Sequence, residues 1–212
     1  MNKAIIFDLD GTLLQTHHHS CRAAHETLRA LGLPDVPDAH VMCHIGEPAD
    51  AFLRAIAPGY SDLYAFERLF DANEQAALKQ VGTLFDGVPE LLRQLTERGY
   101  RLAICSNGSR EYVETALTVT NVRTYFSRLA CAGEYPDKAA AVAAIIKDWN
   151  SELAVVVGDR VHDMDAAGEN GIPFIAAAYG YGGAETAEAD YRAQRPLDVL
   201  ALTEQIESSF FQ

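Results

Sequence analysis

Apolar positions along the chain fall into two patterns. Continuous runs occupy 4–7, 102–105, 153–157 and 173–177, with a weaker one at 128–132. Each is short and lacks the alternation of a half-exposed strand. Each therefore reads as a strand buried on both faces, as in a parallel sheet. Between them, apolar residues recur at helical spacing over 88–98, 109–120, 136–149, 161–170 and 197–208. The first of these helices has Pro89 in its opening turn and Gly99 beyond its end, a matched start and stop. Strands alternating with helices predict a doubly wound α/β sheet.

One stretch breaks the rhythm. No strand pattern occurs from Gln15 to Gly82, whereas Cys21, Ala24, Leu28 and Leu31 recur at helical spacing, as do Leu63, Phe66, Phe70 and Ala77. Gly and Pro residues punctuate the pieces, which predicts an all-helical insert of about four helices. Residues 15–82 then form a second unit, and 1–14 with 83–212 form the sheet core. An insert leaving the first strand hangs over that strand's C-terminal end, where open α/β sheets bind ligands.

Composition narrows the function. The 212 residues carry 17 basic and 30 acidic side chains, a formal charge of −13. Such a chain repels nucleic acid and anionic membrane surfaces, so neither is an expected partner. It also repels an anionic substrate unless a cation or local basic groups neutralise the site. No apolar run is long enough to span a bilayer, and the first residues lack a secretory pattern. The expected location is cytoplasmic. Cys21, Cys43, Cys105 and Cys131 form no CxxC pair, which favours reduced thiols over a zinc site or a disulfide framework.

Four polar clusters fall at the C-terminal ends of predicted strands: Asp8-Leu9-Asp10-Gly11-Thr12, Ser106-Asn107-Gly108, Lys138, and Gly158-Asp159-Arg160-Val161-His162-Asp163. Each has a plain structural reading. Asp8 and Asp10 suit a turn, Ser106 or Ser109 a helix cap, Lys138 a solvated surface, and Asp159 and Asp163 a helix start. Lys138 is the odd one, a cation at the helix end that disfavours cations. Together the clusters put carboxylates for a hard cation beside hydroxyl, ammonium and backbone N–H donors for an anion.

The set resembles the haloacid dehalogenase-like superfamily over nearly the whole chain. FDLDGTL resembles its first motif, CSNG its second, Lys138 its third, and GDRVHD its fourth in the GDxxxD form. The insert resembles the family's helical cap, and His44-Ile45-Gly46-Glu47-Pro48 is similar to the cap segment of phosphoglycolate-phosphatase-like members. The resemblance implies a Rossmann-like core, a small phosphorylated metabolite as substrate, and a Mg²⁺ cofactor. It makes Asp8 the nucleophile that forms an aspartyl-phosphate and Asp10 the general acid and base. It assigns Leu9, Thr12, Ser106, Asn107 and Lys138 to phosphate binding, with Thr12 orienting the Asp10 loop. Asp8, Asp10 (through its carbonyl), Asp159 and Asp163 are assigned to the metal.

Other family chemistries fit less well. Dehalogenases do without the second acid of the first motif, and Asp10 is present. Mutases of the β-phosphoglucomutase type carry a cap histidine where Ser20 stands and an arginine where Ala49 stands. Phosphonate hydrolysis needs a cap lysine, and 15–80 holds only Lys79. A non-catalytic binding protein on this fold is the contrasting class, and the intact acidic and basic set argues against it. His17-His18-His19 reads as a hinge or site rim, and His162 as exposed. Arg22, His44, Glu47 and Arg54 are candidates for substrate contact. Phosphoglycolate, a sugar phosphate, a nucleoside monophosphate and pyrophosphate stay open as substrates, and a monomer is the default.

Overall fold

The computed structural model of the chain describes residues 2–210. Strands β1 (Lys3–Phe7), β2 (Tyr100–Cys105), β3 (Phe126–Ala130), β4 (Leu153–Gly158), β5 (Phe174–Ala177) and β6 (Tyr191–Ala193) form a parallel sheet in the order β3-β2-β1-β4-β5-β6. Central β1 is paired on both edges, with Ile5 opposite Leu102 on one side and Val155 on the other. The order reverses between β2 and β4, around β1, which places the sheet's ligand crevice at the end of the first strand.

Alternation sorts the strand residues onto two faces. Ile5, Phe7, Leu102, Ile104, Val155 and Val157 face one core. It is closed by helices from 88–97, 110–119 and 198–210, named below. Ala4, Ile6, Ala103, Ala154, Val156 and Ala176 face the other core, under Val142, Ile145, Trp149 and Ala166. The alanine-rich face suits close helix approach, and the branched face fills a wider gap. Each fully buried Leu or Ile contributes roughly 1.5–3 kcal/mol, so both layers are needed to hold strands with no exposed face.

Four helices lie between β1 and the rest of the sheet: α1 (His17–Ala30), α2 (Asp38–His44), α3 (Ala49–Ile56) and α4 (Leu63–Val81). They share a core of their own that includes Leu28, Val41, Phe52, Ile56, Phe66 and Phe70. Phe66 and Phe70 stack one turn apart on α4, with ring centroids 6.4 Å apart. The two chain passages joining this unit to the sheet pair with each other. Gln15 N–H donates to Thr83 O (2.9 Å), Phe85 N–H to Leu13 O (2.9 Å), and the Gln15 side chain to Leu84 O (2.7 Å).

The remaining helices are α5 (Val88–Glu97), α6 (Arg110–Val119), α7 (Lys138–Trp149), α8 (Val161–Glu169) and α9 (Asp198–Phe210). Pro89 sits in the first turn of α5, and Gly99 follows it at φ +81°. Three strands differ from expectation. β2 begins at Tyr100 rather than 102, because exposed Arg101 interrupts its apolar run, and β3 spans Phe126–Ala130 rather than 128–132, because the exposed Ser127 hid its start. β6 was not expected; it has three residues, and Arg192 interrupts its apolar pattern. Among the described residues, no helix is long and apolar enough to cross a membrane.

Candidate active site

The site starts where β1 stops pairing. Asp8 N–H still donates to Val157 O (2.9 Å), and the chain then curls back on itself. Leu9 O accepts from Leu13 N–H and Leu14 N–H (both 2.9 Å), while the Leu9 side chain is fully buried. Gly11 allows the curl. It sits at φ +82°, and a Cβ there would stand 2.4 Å from Asp159 Oδ2. Asp8 and Asp10 are thereby held 3% and 7% exposed, deep enough that each carboxyl needs compensation.

Lys138 compensates Asp8. Its Nζ lies 2.7 Å from Asp8 Oδ1 and 2.6 Å from Asp163 Oδ1. The solvated-surface reading of Lys138 does not hold. It opens α7 behind the Asp137 cap, and two carboxylates outweigh the unfavourable helix end. Burial opposes the ammonium charge, but Asp163 and Asp8 hold it well above the usual lysine range. Burial, opposed by Lys138, raises the Asp8 carboxyl well above its ordinary value, and Asp163, Asp159 and Asp10 add to the rise. Asp8 Oδ2 is buried with no partner among the described residues.

Asp159 does not cap α8; Arg160 holds that position. Asp159 Oδ2 instead accepts from Tyr181 N–H (2.7 Å) and Gly182 N–H (3.1 Å), and Thr12 Oγ1 donates to its Oδ1 (3.5 Å). Burial and the neighbouring Asp163 push the Asp159 carboxyl up to about 7. Asp163 does serve the helix start, since its Oδ2 accepts from Arg160 N–H (3.1 Å), while its Oδ1 meets Lys138. Asp8, Asp159 and Asp163 each present an oxygen within 4.8 Å of the others. Three converging buried carboxylates, with an oxygen of Asp8 left unpartnered, fit a hard divalent cation.

Asp10 is braced differently. Its Oδ1 accepts from Thr16 Oγ1 and from Tyr112 Oη, both at 2.6 Å. Tyr112 Oη also meets His19 Nε2 at 3.0 Å. Because the phenol hydrogen goes to Asp10, His19 donates from Nε2. Burial, aided by His18 and His17, drops the His19 ring to about 3, so it is a neutral donor. Burial raises the Asp10 carboxyl, and the Thr16 and Tyr112 hydroxyls oppose the rise.

The second cluster completes the rim. Ser106 Oγ accepts from Gly108 N–H (3.0 Å), and the Asn107 amide donates to Gly46 O (2.9 Å), tying the sheet to the helical unit. Ser109, the other serine considered, caps α6. Cys105 is buried and its thiol is pushed up to about 12, which leaves it inert. Two cavities flank the rim. One of about 440 Å³ touches Ser106, Asn107 and Lys138, and one of about 200 Å³ touches Asp10, Asn107 and Tyr112.

Several contributors carried no motif signal. Tyr112 lies within ordinary helical spacing. Tyr181 and Gly182 belong to the run Tyr179-Gly180-Tyr181-Gly182-Gly183, a glycine-rich stretch of the kind that lets backbone approach closely. A Cβ on Gly182 would stand 1.8 Å from Asp159 O. The histidine run divides: His17 bonds Tyr181 Oη (2.9 Å), and His19 turns inward to Tyr112. His162 is half-exposed beside Glu47 (3.5 Å). Of the four contact candidates, Glu47 reaches the smaller cavity and pairs with Arg160 (2.5 Å). Arg22 turns outward to Glu26 and Gln80, His44 packs on His40, and Arg54 is exposed.

The haloacid dehalogenase-like hydrolase family model matches residues 5–177. The phosphoglycolate phosphatase of Vibrio vulnificus is 31% identical over 217 residues, covering 93% of this chain and 94% of that protein. The tyrosine-protein kinase PtkA of Mycobacterium tuberculosis is 32% identical over 188 residues, covering 85% of this chain but 64% of that protein's length. Among solved structures, a predicted phosphoglycolate phosphatase from Haemophilus somnus superposes with TM-score 0.89 at 24% identity, covering 95% of this chain and 98% of that one. A haloacid dehalogenase-like family protein from Streptococcus pneumoniae superposes with TM-score 0.83, also at 24% identity, with coverage of 95% and 98%. This chain belongs to the haloacid dehalogenase-like hydrolase family, spans about two thirds of the length of the PtkA relatives it matches, and nearly the full length of the phosphoglycolate phosphatase of Vibrio vulnificus.

Proposed function

We propose that the chain hydrolyses a small phosphomonoester through an aspartyl-phosphate on Asp8. The observation that carries this reading is the unequal treatment of two neighbouring acids. Asp8 keeps one oxygen unpartnered beside Lys138, whereas Asp10 has Oδ1 clamped by two hydroxyls. An open oxygen suits bond formation, and a clamped carboxyl suits aimed proton transfer.

In the first half-reaction Asp8 attacks phosphorus, and the bond to the leaving oxygen breaks as Asp10 delivers its proton there. In the second, Asp10 takes a proton from water, which attacks the phosphorus and restores Asp8. Thr16 and Tyr112 keep Asp10 oriented through both. Lys138, Ser106 and backbone N–H groups at Leu9 and Asn107 hold the phosphoryl oxygens, with fixed positive ends where charge develops. Thr12 braces Asp159 beside them. Asp8, Asp159 and Asp163, with the Asp10 carbonyl, would hold Mg²⁺, which supplies charge neutralisation between Asp8 and an incoming phosphate.

Residues 15–82 act as a cap over the site, moving on the paired passages around Gln15 and Leu84 and excluding bulk water when closed. The enzyme works in the cytoplasm on a phosphorylated metabolite. The test is hydrolysis of an aryl phosphate with and without Mg²⁺. Turnover that needs Mg²⁺ and disappears in Asp8→Asn is the expected result, and acid quench of Asp10→Asn should trap phosphate on Asp8. Turnover that survives Asp8→Asn would overturn the mechanism.

A further inference from the structure

The cavity of about 200 Å³ lies on the alcohol side of the site. It touches Asp10, the residue that meets the leaving oxygen, so what fills it is the part of the substrate that departs. Its floor is apolar, with Phe52, Leu53 and Phe70 from the helical unit. Its wall is a stripe of carboxylates. Glu67, Asp71 and Glu74 follow one another on α4 at i, i+4 and i+7, which puts them on one helix face. Like charges at i, i+4 weaken a helix, so the Glu67–Asp71 pair opposes α4 rather than supporting it.

No lysine, arginine or histidine lines this cavity among the described residues. Glu47 at its edge is matched by Arg160, but Glu67, Asp71 and Glu74 have no ion-pair partner there. The His19 ring, bonded to Tyr112 of the lining, is neutral. Glu74 accepts from Ser20 Oγ, and burial raises its carboxyl to about 8. A second cavity of about 260 Å³ shares Asp71, Glu74, Ser109 and Tyr112, and extends the space outward. Gln75 Oε1 lines it as a buried acceptor without a donor. The wall is rich in acceptors and poor in positive charge, so it fits a ligand that brings both donors and positive charge.

We propose that the leaving alcohol of the substrate carries a protonated amine, received by Glu67 and Asp71. The proposal rests on the phosphomonoesterase reading and names the substrate class for that same site. A carboxylate in this position meets like charges in a partly desolvated pocket, a repulsion that counts strongly against a wrong ligand. This chain therefore differs in preference from what the names of its phosphoglycolate phosphatase relatives describe.

The test compares three esters of matched size, ethanolamine phosphate, ethyl phosphate and phosphoglycolate, beside the aryl phosphate. The kcat/KM of the wild-type enzyme should favour the amine over ethyl phosphate by about tenfold or more, with the carboxylate last. Glu67→Gln and Asp71→Asn should each bring the amine-to-ethyl ratio toward one. Phosphoglycolate equalling or exceeding ethyl phosphate, or an amine no better than ethyl phosphate, overturns the proposal while the aryl phosphate result still supports the hydrolase. Calorimetric binding of the same esters to the Asp8→Asn protein reads the wall without turnover, and the same order is expected. Loss of aryl phosphate turnover in the wild type, with this binding order intact, would count against the mechanism and not against the wall.

Discussion

The Tyr112 hydroxyl donates to Asp10 Oδ1 across 2.6 Å, from a helix of the sheet core to the loop after the first strand. The same hydroxyl meets His19 of the helical unit, so one phenol joins the acid, the core and the insert. A hydrogen bond to a charged group is worth about 1.5–3 kcal/mol. Tyr112→Phe should therefore lower kcat on an aryl phosphate about 10- to 100-fold. The readout is kcat against KM, with KM moving less. An unchanged kcat would show that Thr16 alone orients Asp10.

Lys138 compensates two buried acids at 2.7 and 2.6 Å. Lys138→Met removes the charge and keeps most of the volume. It leaves Asp8 and Asp163 unmatched, and breaking a buried pair typically costs about 3–5 kcal/mol. Urea unfolding should show a loss of that order, and Mg²⁺ should restore part of it by binding the folded carboxylates. Stability equal to wild type would mean that the acids take up protons without penalty.

His19 gives a pH signature. Its folded value is about 3 against 6.5 for the free ring. Between those values the unfolded chain binds a proton that the folded chain refuses, so stability falls as pH drops through this window. In His19→Gln that contribution disappears. The difference in unfolding free energy between the two proteins should shift steadily against the wild type from pH 6.5 downward. A difference that stays flat with pH would place a charged ring in the folded core.

Glu74 gives the opposite slope. Its folded value is about 8 against 4.5 for the free acid, so here the folded chain holds the extra proton. Its contribution is full below pH 4.5 and is lost as pH rises through 8. Glu74→Gln should gain stability relative to wild type across that range, read as a widening gap in melting temperature. A gap that does not widen would mean that Glu74 ionises freely in the folded chain.

The candidate site was legible in the sequence wherever a residue type is costly out of context. Asp8 and Asp10 follow one buried strand, and Asp159 and Asp163 follow another, so their unusual placement showed in one dimension. Lys138 was visible only as an oddity, because nothing local says which carboxylates lie across the sheet. The Thr12 hydroxyl reaches Asp159 Oδ1 and its carbonyl accepts from Tyr179, contacts that no local pattern shows. Tyr112 and Glu74 gave no signal, since aromatic and acidic residues are ordinary on amphipathic helices, and His19 showed only as part of a histidine run that does not say which ring turns inward.

The sequence by itself determined the parallel sheet, the helical insert after the first strand, and the acids at the strand ends. These follow from local rules, the two periodicities and the penalty on buried charge, which act over a few neighbouring residues. Only the tertiary structure decided which oxygen of Asp8 stays unpartnered, which hydroxyls clamp Asp10, and which face of α4 walls the cavity. Those depend on atoms brought together from distant parts of the chain, such as Asp10 and Tyr112, 102 positions apart. Packing, rather than pattern, selects such pairs, because many side chains share a spacing and few share a place.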